Sequence, residues 1–284
     1  MPPAEQQRRQ GQKNHPYRAR LAQPFSGKEH HNQQREPIPL RTMPHESGPW
    51  RLKEMTPPDA EARLAQHPCL IVPVGSTEQH GPHLPVGGDT IIVERMADDL
   101  SIRTGMVRAP AVEYGVNLTR LHPGTLTAGL QGKTLHRVMN ELIESWEIGA
   151  GVSQFLVLSA EGYEPHQEAL STIIVQQAEV KVVDILELDF GELLEGPGGP
   201  EHGGELDTSL LLHIAPHLVK MEHAKDRAPS AKTRARYRRG SKASHVSIPG
   251  EATGYPTLAS AAKGERLYNF MLDRILNLVV EESA

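Results

Sequence analysis

The sequence predicts an α/β domain built on a mostly parallel sheet, and three observations carry that expectation. Short apolar runs recur as Cys69-Leu70-Ile71-Val72, Phe155-Leu156-Val157-Leu158 and Val180 to Leu186. They have strand length, and the last shows the blurred alternation of a sheet covered on both faces. The first two runs each lead into a polar, glycine-containing loop and then a helical pattern, the repeating unit of a parallel sheet. At 284 residues the chain can hold one large domain with a sizeable core, plus tails.

Residues 1–48 stand apart: they are rich in Gln, Arg, His and Pro, poor in aliphatic residues, and lack the apolar stretch of a secretory signal. A disordered or extended tail is expected there, with the domain over 49–284 and ordered structure beginning near Trp50. Pro57 and Pro58 followed by Asp59-Ala60-Glu61-Ala62-Arg63-Leu64-Ala65 predict a short helix with a prolyl first turn. Cys69 to Val72 is the first buried strand. Ile91, Ile92, Val93, Met96, Ala97 and Leu100 then recur at helical spacing over Thr90 to Thr104, and Met106 to Val112 reads as a strand.

A turn-rich loop follows, with Tyr114-Gly115-Val116-Asn117 and His122-Pro123-Gly124-Thr125. Leu135, Val138, Met139, Leu142, Ile143 and Trp146 give an amphipathic helix over Gly132 to Gly149. After the strands at 155–158 and 180–186, a helix is expected through Leu210, Leu211, Leu212 and Ile214. A basic stretch at about 225–246 reads as a solvated insertion or a subunit-contact arm, and a long helix runs to about Glu281.

Composition narrows the function classes. A formal charge of −5 gives no reason to expect nucleic acid. The single cysteine, Cys69, excludes an internal disulfide framework. No segment has the apolar length of a membrane span, and with no export signal the expected location is the cytoplasm.

The chemistry concentrates in Val74-Gly75-Ser76-Thr77-Glu78-Gln79-His80-Gly81-Pro82-His83-Leu84-Pro85-Val86-Gly87-Gly88-Asp89. This is a loop at the end of a buried strand, where open α/β sheets bind ligands. Glu78, His80 and Asp89 supply carboxylate oxygen and imidazole nitrogen, a donor set suited to zinc, manganese or iron. The order of residues closely resembles the signature of the creatininase (creatinine amidohydrolase) family, G-S-x-E-Q-H-G-x-H-L-P followed by an Asp. The resemblance implies a three-layer α/β/α sandwich holding two divalent ions per chain, with Asp89 bridging them, Glu78 on one and His80 on the other. His83 is then a neighbouring group or a loop histidine bonded to backbone. In the family a Tyr-Gly segment and Phe-Pro-Gly-Thr help wall the site; here His122 replaces the Phe, and it either reaches the pocket or faces solvent.

Two further segments extend the resemblance. Ser159-Ala160-Glu161-Gly162-Tyr163-Glu164-Pro165-His166 lies where most members carry Asn-Gly-His-Gly-Gly-Asn, and the family histidine is missing. Glu164 is expected as the carboxylate ligand with His166 compensating for the lost imidazole, and Glu161 competes for the same role. Glu201-His202-Gly203-Gly204-Glu205-Leu206-Asp207-Thr208-Ser209 resembles His-Ala-Gly-Glu-x-Glu-Thr-Ser. That match implies His202 as proton donor to a leaving nitrogen, with Glu201 as its catalytic neighbour. Glu205 either binds metal or orders the loop.

The resemblance covers about Trp50 to Val280. It implies a metal-dependent amidohydrolase in which a metal-activated water attacks a C–N amide bond of a cyclic amide, a formamide or a short peptide. It also implies a homo-oligomer, often a hexamer. Creatinine itself is a poor expectation, because no Trp follows Trp146 to stack a flat ring. The alternative from another class is a catalytically weakened member that binds metal or ligand as an assembly or regulatory subunit, motivated by the missing histidine.

Overall fold

The computed structural model describes residues 48–117, 120–121, 123–197, 201–227 and 254–280. The proposed tail over 1–48, apart from its last residue, lies outside them, as do His122 and most of the basic stretch.

The described residues form a five-stranded sheet of β1 (Trp50–Arg51), β2 (Cys69–Val74), β3 (Val107–Arg108), β4 (Gln154–Ser159) and β5 (Glu179–Asp184). Its order is β1-β3-β2-β4-β5 and every pairing is parallel. The helices are α1 (Pro57–Gln66), α2 (Gly88–Thr104), α3 (Gly132–Ala150), α4 (Glu164–Ser171), α5 (Glu205–Ile214) and α6 (Ala261–Val280).

Alternate residues of β2 reach opposite faces. Ile71 packs with α2, α5 and α6, whereas Leu70, Val72 and Val74 pack with Leu64 of α1, with Leu135, Met139 and Ile143 of α3, and with Leu170 of α4. These four β2 side chains are wholly buried, each contributing roughly 1.5–3 kcal/mol of hydrophobic stabilisation. The architecture is therefore the expected α/β/α sandwich. Among the described residues no helix is long and apolar enough to cross a membrane.

Two elements differ from expectation. The strand expected over Met106 to Val112 shrinks to two residues, because Pro110 has no N–H to donate; only an isolated bridge, Val74 to Val112, continues the pairing. Helix α2 begins at Gly88 rather than Thr90, which draws Asp89 into its first turn. Helices α5 and α6 cross so closely that a Cβ on Gly264 would lie 1.9 Å from the Ser209 carbonyl oxygen, so only glycine fits there.

Strand order places a crevice. From β2 the chain moves to β3 on one side, then crosses to β4 on the other. The loops leaving β2 and β4 diverge, opening the switch point at which ligands bind in such sheets.

The last residue of β5 carries a stability consequence. Asp184 Oδ1 accepts the Leu186 N–H at 2.9 Å, while its Oδ2 is buried without a hydrogen-bond partner among the described residues. Burial pushes this carboxyl up to about 7 from 3.8. The folded state thus holds a proton that the unfolded chain releases, and stability falls as pH rises through that window. Asp184→Asn keeps the Leu186 bond and removes the charge. Its expected gain in Tm over the parent is larger at about pH 8 than at about pH 5 in thermal denaturation, and an equal effect at both would show that Asp184 stays ionised.

Candidate metal centre

The loop after β2 folds back onto the first turn of α2. A Cβ on Gly75 would lie 2.5 Å from Thr90 Cα, Thr90 Oγ1 donates to the Ser76 carbonyl at 3.0 Å, and the Glu78 N–H donates to the Val86 carbonyl at 2.8 Å. This brings Glu78, His80 and Asp89, none more than 3% exposed, into one buried group. Ser76 Oγ donates to Asp89 Oδ2 at 2.6 Å, and His80 Nε2 meets Asp89 Oδ1 at 2.9 Å. The other His80 nitrogen, Nδ1, donates to the Glu78 carbonyl at 3.0 Å. That bond orients the ring with Nε2 inward, as the outer partner of a metal-ligating histidine does.

The loop after β4 supplies Glu161. Its Oε1 accepts the Tyr163 N–H at 3.0 Å, and Gln167 Nε2 holds its carbonyl at 2.6 Å. Asn117 Nδ2 donates to both Glu78 Oε2 (3.0 Å) and Glu161 Oε2 (2.9 Å). Glu78, Asp89 and Glu161 each place a carboxylate oxygen within 4.8 Å of the others.

Three buried carboxylates this close are electrostatically costly without a cation. Burial and the charges of Glu78 and Asp89 push Glu161 well above its usual range. Burial alone would raise Glu78 as well, but the neighbouring His202 and His80 outweigh it and hold the carboxyl down. The same balance of burial against Asp89 lifts His80 to about 10. Hard oxygen donors with one inward imidazole nitrogen fit a divalent cation.

The other residues singled out from sequence divide. His202 lies in the site: its ring stacks on His80 with centroids 4.1 Å apart, and its Nε2 donates to the Gln79 carbonyl at 2.5 Å. Glu201 is buried beside Gly254, where an added Cβ would lie 2.9 Å from its Oε2. Glu164 is not brought to the cluster. Helix α4 begins at that residue, so its side chain is exposed on the first turn, whereas Glu161 is still in the loop at the strand end.

His166 is wholly buried, but its Nδ1 accepts the Val116 N–H at 3.1 Å. The neutral ring therefore carries its proton on Nε2, which leaves that nitrogen no lone pair for a metal. His83 is bonded to the Thr208 hydroxyl at 2.9 Å and lies outside the carboxylate group; burial and His80 lower it to about 4.

Glu205 orders the loop rather than joining the carboxylate group. It accepts the backbone N–H groups of Glu195 and Gly196 and a hydrogen bond from Lys263 Nζ. Both side chains of that pair are about 5% exposed or less. Removing one partner of such a buried pair costs about 3 kcal/mol. Lys263→Met is therefore expected to lower thermal stability by that order, measured by denaturant unfolding, and an unchanged midpoint would show that the pair contributes nothing.

Beyond the signature loop, Asn117 and Asp207 contribute without having been singled out from sequence as site residues. Asn117 had no signal beyond its place in a turn-rich loop. Asp207 accepts the Gly203 N–H at 2.7 Å and adds its charge to those raising His80; the change from Glu to Asp at that point of the resemblance was its only mark.

Fold and site together define an α/β/α hydrolase with its polar centre at the sheet's switch point, and comparisons with known proteins identify the family. The creatininase family model, described as creatinine amidohydrolase, matches residues 53–279. The mycofactocin precursor peptide peptidase of Mycobacterium tuberculosis is 34% identical over 221 residues, covering 72% of this chain and 82% of that protein. The creatinine amidohydrolase of Pseudomonas putida is 26% identical over 62% of this chain and 76% of that protein. A solved structure described as "Creatininase Mn" superposes with a TM-score of 0.65 at 23% identity, covering 82% of this chain and 98% of that one, and so shares the fold. The chain belongs to the creatininase family and is a hydrolase.

Proposed function

We propose that this chain is a metal-dependent amidohydrolase that cleaves a C–N amide bond, with a short peptide as the substrate class. The observation that carries the reading is the convergence of Glu78, Asp89 and Glu161 with His80 in one buried group. Glu78, Asp89 and Glu161 would hold one divalent ion, and His80 with Asp89 a second. A divalent ion at this place supplies Lewis acidity, polarising a carbonyl and lowering the pKa of water to about 7.

The chain's own residues do the positioning. Ser76 fixes Asp89, Asn117 aligns Glu78 with Glu161, and the Glu78 carbonyl holds the His80 ring. His202, anchored through Nε2–H on the Gln79 carbonyl, offers Nδ1 as the base that would take a proton from the attacking water and then return it to the departing nitrogen. The peptide preference rests on the relative named as a precursor peptide peptidase and on the lack of any Trp after Trp146. A homo-oligomer and a cytoplasmic location complete the reading.

Metal analysis of the purified chain, joined to a panel of short peptides, lactams and formamides assayed with zinc or manganese, tests it. Close to two equivalents of metal and cleavage of a peptide amide are expected; a chain that binds no divalent ion sinks the proposal.

A further inference from the structure

The amide unit that joins Glu78 to Gln79 is held at both ends. Its carbonyl, that of Glu78, accepts His80 Nδ1–H at 3.0 Å, and its N–H, that of Gln79, donates to Thr127 Oγ1 at 3.2 Å. A peptide unit is planar and turns as one body, so the Thr127 bond restrains the same carbonyl that orients the His80 ring. The other nitrogen of that ring, Nε2, meets Asp89. Contacts thus run unbroken from the Thr127 hydroxyl through one amide to the imidazole beside the carboxylate group, and hydrogen bonds linked in this way polarise one another.

The segment that brings Thr127 there is strained. Among the described residues Leu126 is the only non-glycine with a left-handed backbone, at a φ of 54°, a conformation that L-residues disfavour, and its apolar side chain stands 83% exposed. Such strain persists only where the surroundings over-determine it. Here the following residues are pinned to the site: the Ala128 N–H donates to the Thr77 carbonyl at 2.9 Å and the Leu130 N–H to the Gly115 carbonyl at 2.7 Å. A Cβ on Gly129 would lie 2.4 Å from Oδ1 of Asn117, whose Nδ2 joins Glu78 to Glu161. On the other side the Thr127 N–H reaches back to Thr125 Oγ1 at 3.4 Å.

We propose that Thr127 is a positioning residue for the metal centre: its hydroxyl oxygen fixes the amide between Glu78 and Gln79, and that amide's carbonyl fixes the His80 ring. The proposal rests on the metal-dependent reading of this centre and gives the turn after His122 a part in it. Outer partners of a ligating histidine contribute about 10–100-fold to metal affinity, and Thr127, acting through one amide, belongs at the lower end of that range.

Thr127→Val keeps the branched shape and removes the oxygen, while Thr127→Ser keeps the oxygen. In chelator competition the zinc affinity of the full chain is expected to fall about tenfold in the Val variant and to return to within about twofold of the parent in the Ser variant. A second readout needs no metal: exchange of the His80 Nδ1 proton with solvent in the metal-free chain, followed by NMR, should quicken about tenfold in the Val variant and stay parental in the Ser variant. A role in loop packing alone would lower Tm without reaching that proton. Thr127→Ala carries the same comparison where the Val variant does not fold. Parental zinc affinity in the Val or Ala variant, no recovery in the Ser variant, or lost affinity with the His80 proton still parental would each overturn the proposal. A parent chain that binds no zinc fails the metal-dependent reading itself and takes the role of Thr127 with it, even with that proton protected as expected.

Discussion

Asp89→Asn is expected to leave a folded chain that neither retains its metal nor hydrolyses an amide, with activity reduced by about 10³-fold or more. Asp89, in the first turn of α2, ties the preceding loop to the helix, taking Ser76 Oγ on one oxygen and His80 Nε2 on the other. An amide side chain in its place offers one weak acceptor and one N–H donor, so a cation loses its central negative partner and His80 loses the group that fixes its inner nitrogen. Several kcal/mol of charge stabilisation disappear together, and each 1.36 kcal/mol is tenfold in rate. Helix α2 should survive, because Asp89 is a first-turn residue whose helix is held by Ile92, Val93, Met96 and Leu100 in the core. Metal stoichiometry by mass spectrometry, circular dichroism and the peptide assay decide the matter. An Asp89→Asn chain that keeps metal and rate would show the centre to lie elsewhere.

The second large effect is expected at Glu161, and its sign depends on the metal. In the metal-free chain burial and two neighbouring carboxylates push Glu161 well above its usual range, so Glu161→Gln removes a charge that this pocket disfavours when no cation is bound. Stability of the metal-free protein should barely move, within about 2 °C in Tm. Metal binding, in contrast, draws on the ionised group, and Glu161→Gln should weaken it by about 10²-fold or more, beyond what loss of an outer-sphere partner gives. Glu164→Gln, three residues on at the exposed start of α4, should leave both quantities at parental values. If the two variants exchanged behaviour, the loop after β4 would have to be rebuilt.

That pair of variants also marks how far the residues alone could be read. The contiguous run from Gly75 to Asp89 was legible because its donors come from one loop, and a strand end followed by a helix start leaves that loop few ways to fold. The assignment between Glu161 and Glu164 was not legible, since it turns on where α4 begins, and a boundary shifted by one turn exchanges a loop carboxylate for a surface one. His166 failed as a ligand for a subtler reason: a ring's coordinating ability is set by what its second nitrogen touches, here a backbone N–H fifty residues away in sequence. Asn117 reaches across the crevice to two carboxylates from different loops, a contact that only strand order creates. The sandwich itself followed from apolar runs of strand length, whereas β3 was overestimated because its apolar pattern runs on past Pro110, beyond the two residues that pair in the sheet.

The Lys263 ammonium, near the start of the final helix, grips the carboxylate that steadies the loop leading to His202. The order of this loop thus depends on a helix residue 58 positions beyond Glu205 in the chain. A chain cut before Ala261 would carry the whole signature loop and lack Lys263, so the loop leading to His202 is expected to lose its hold.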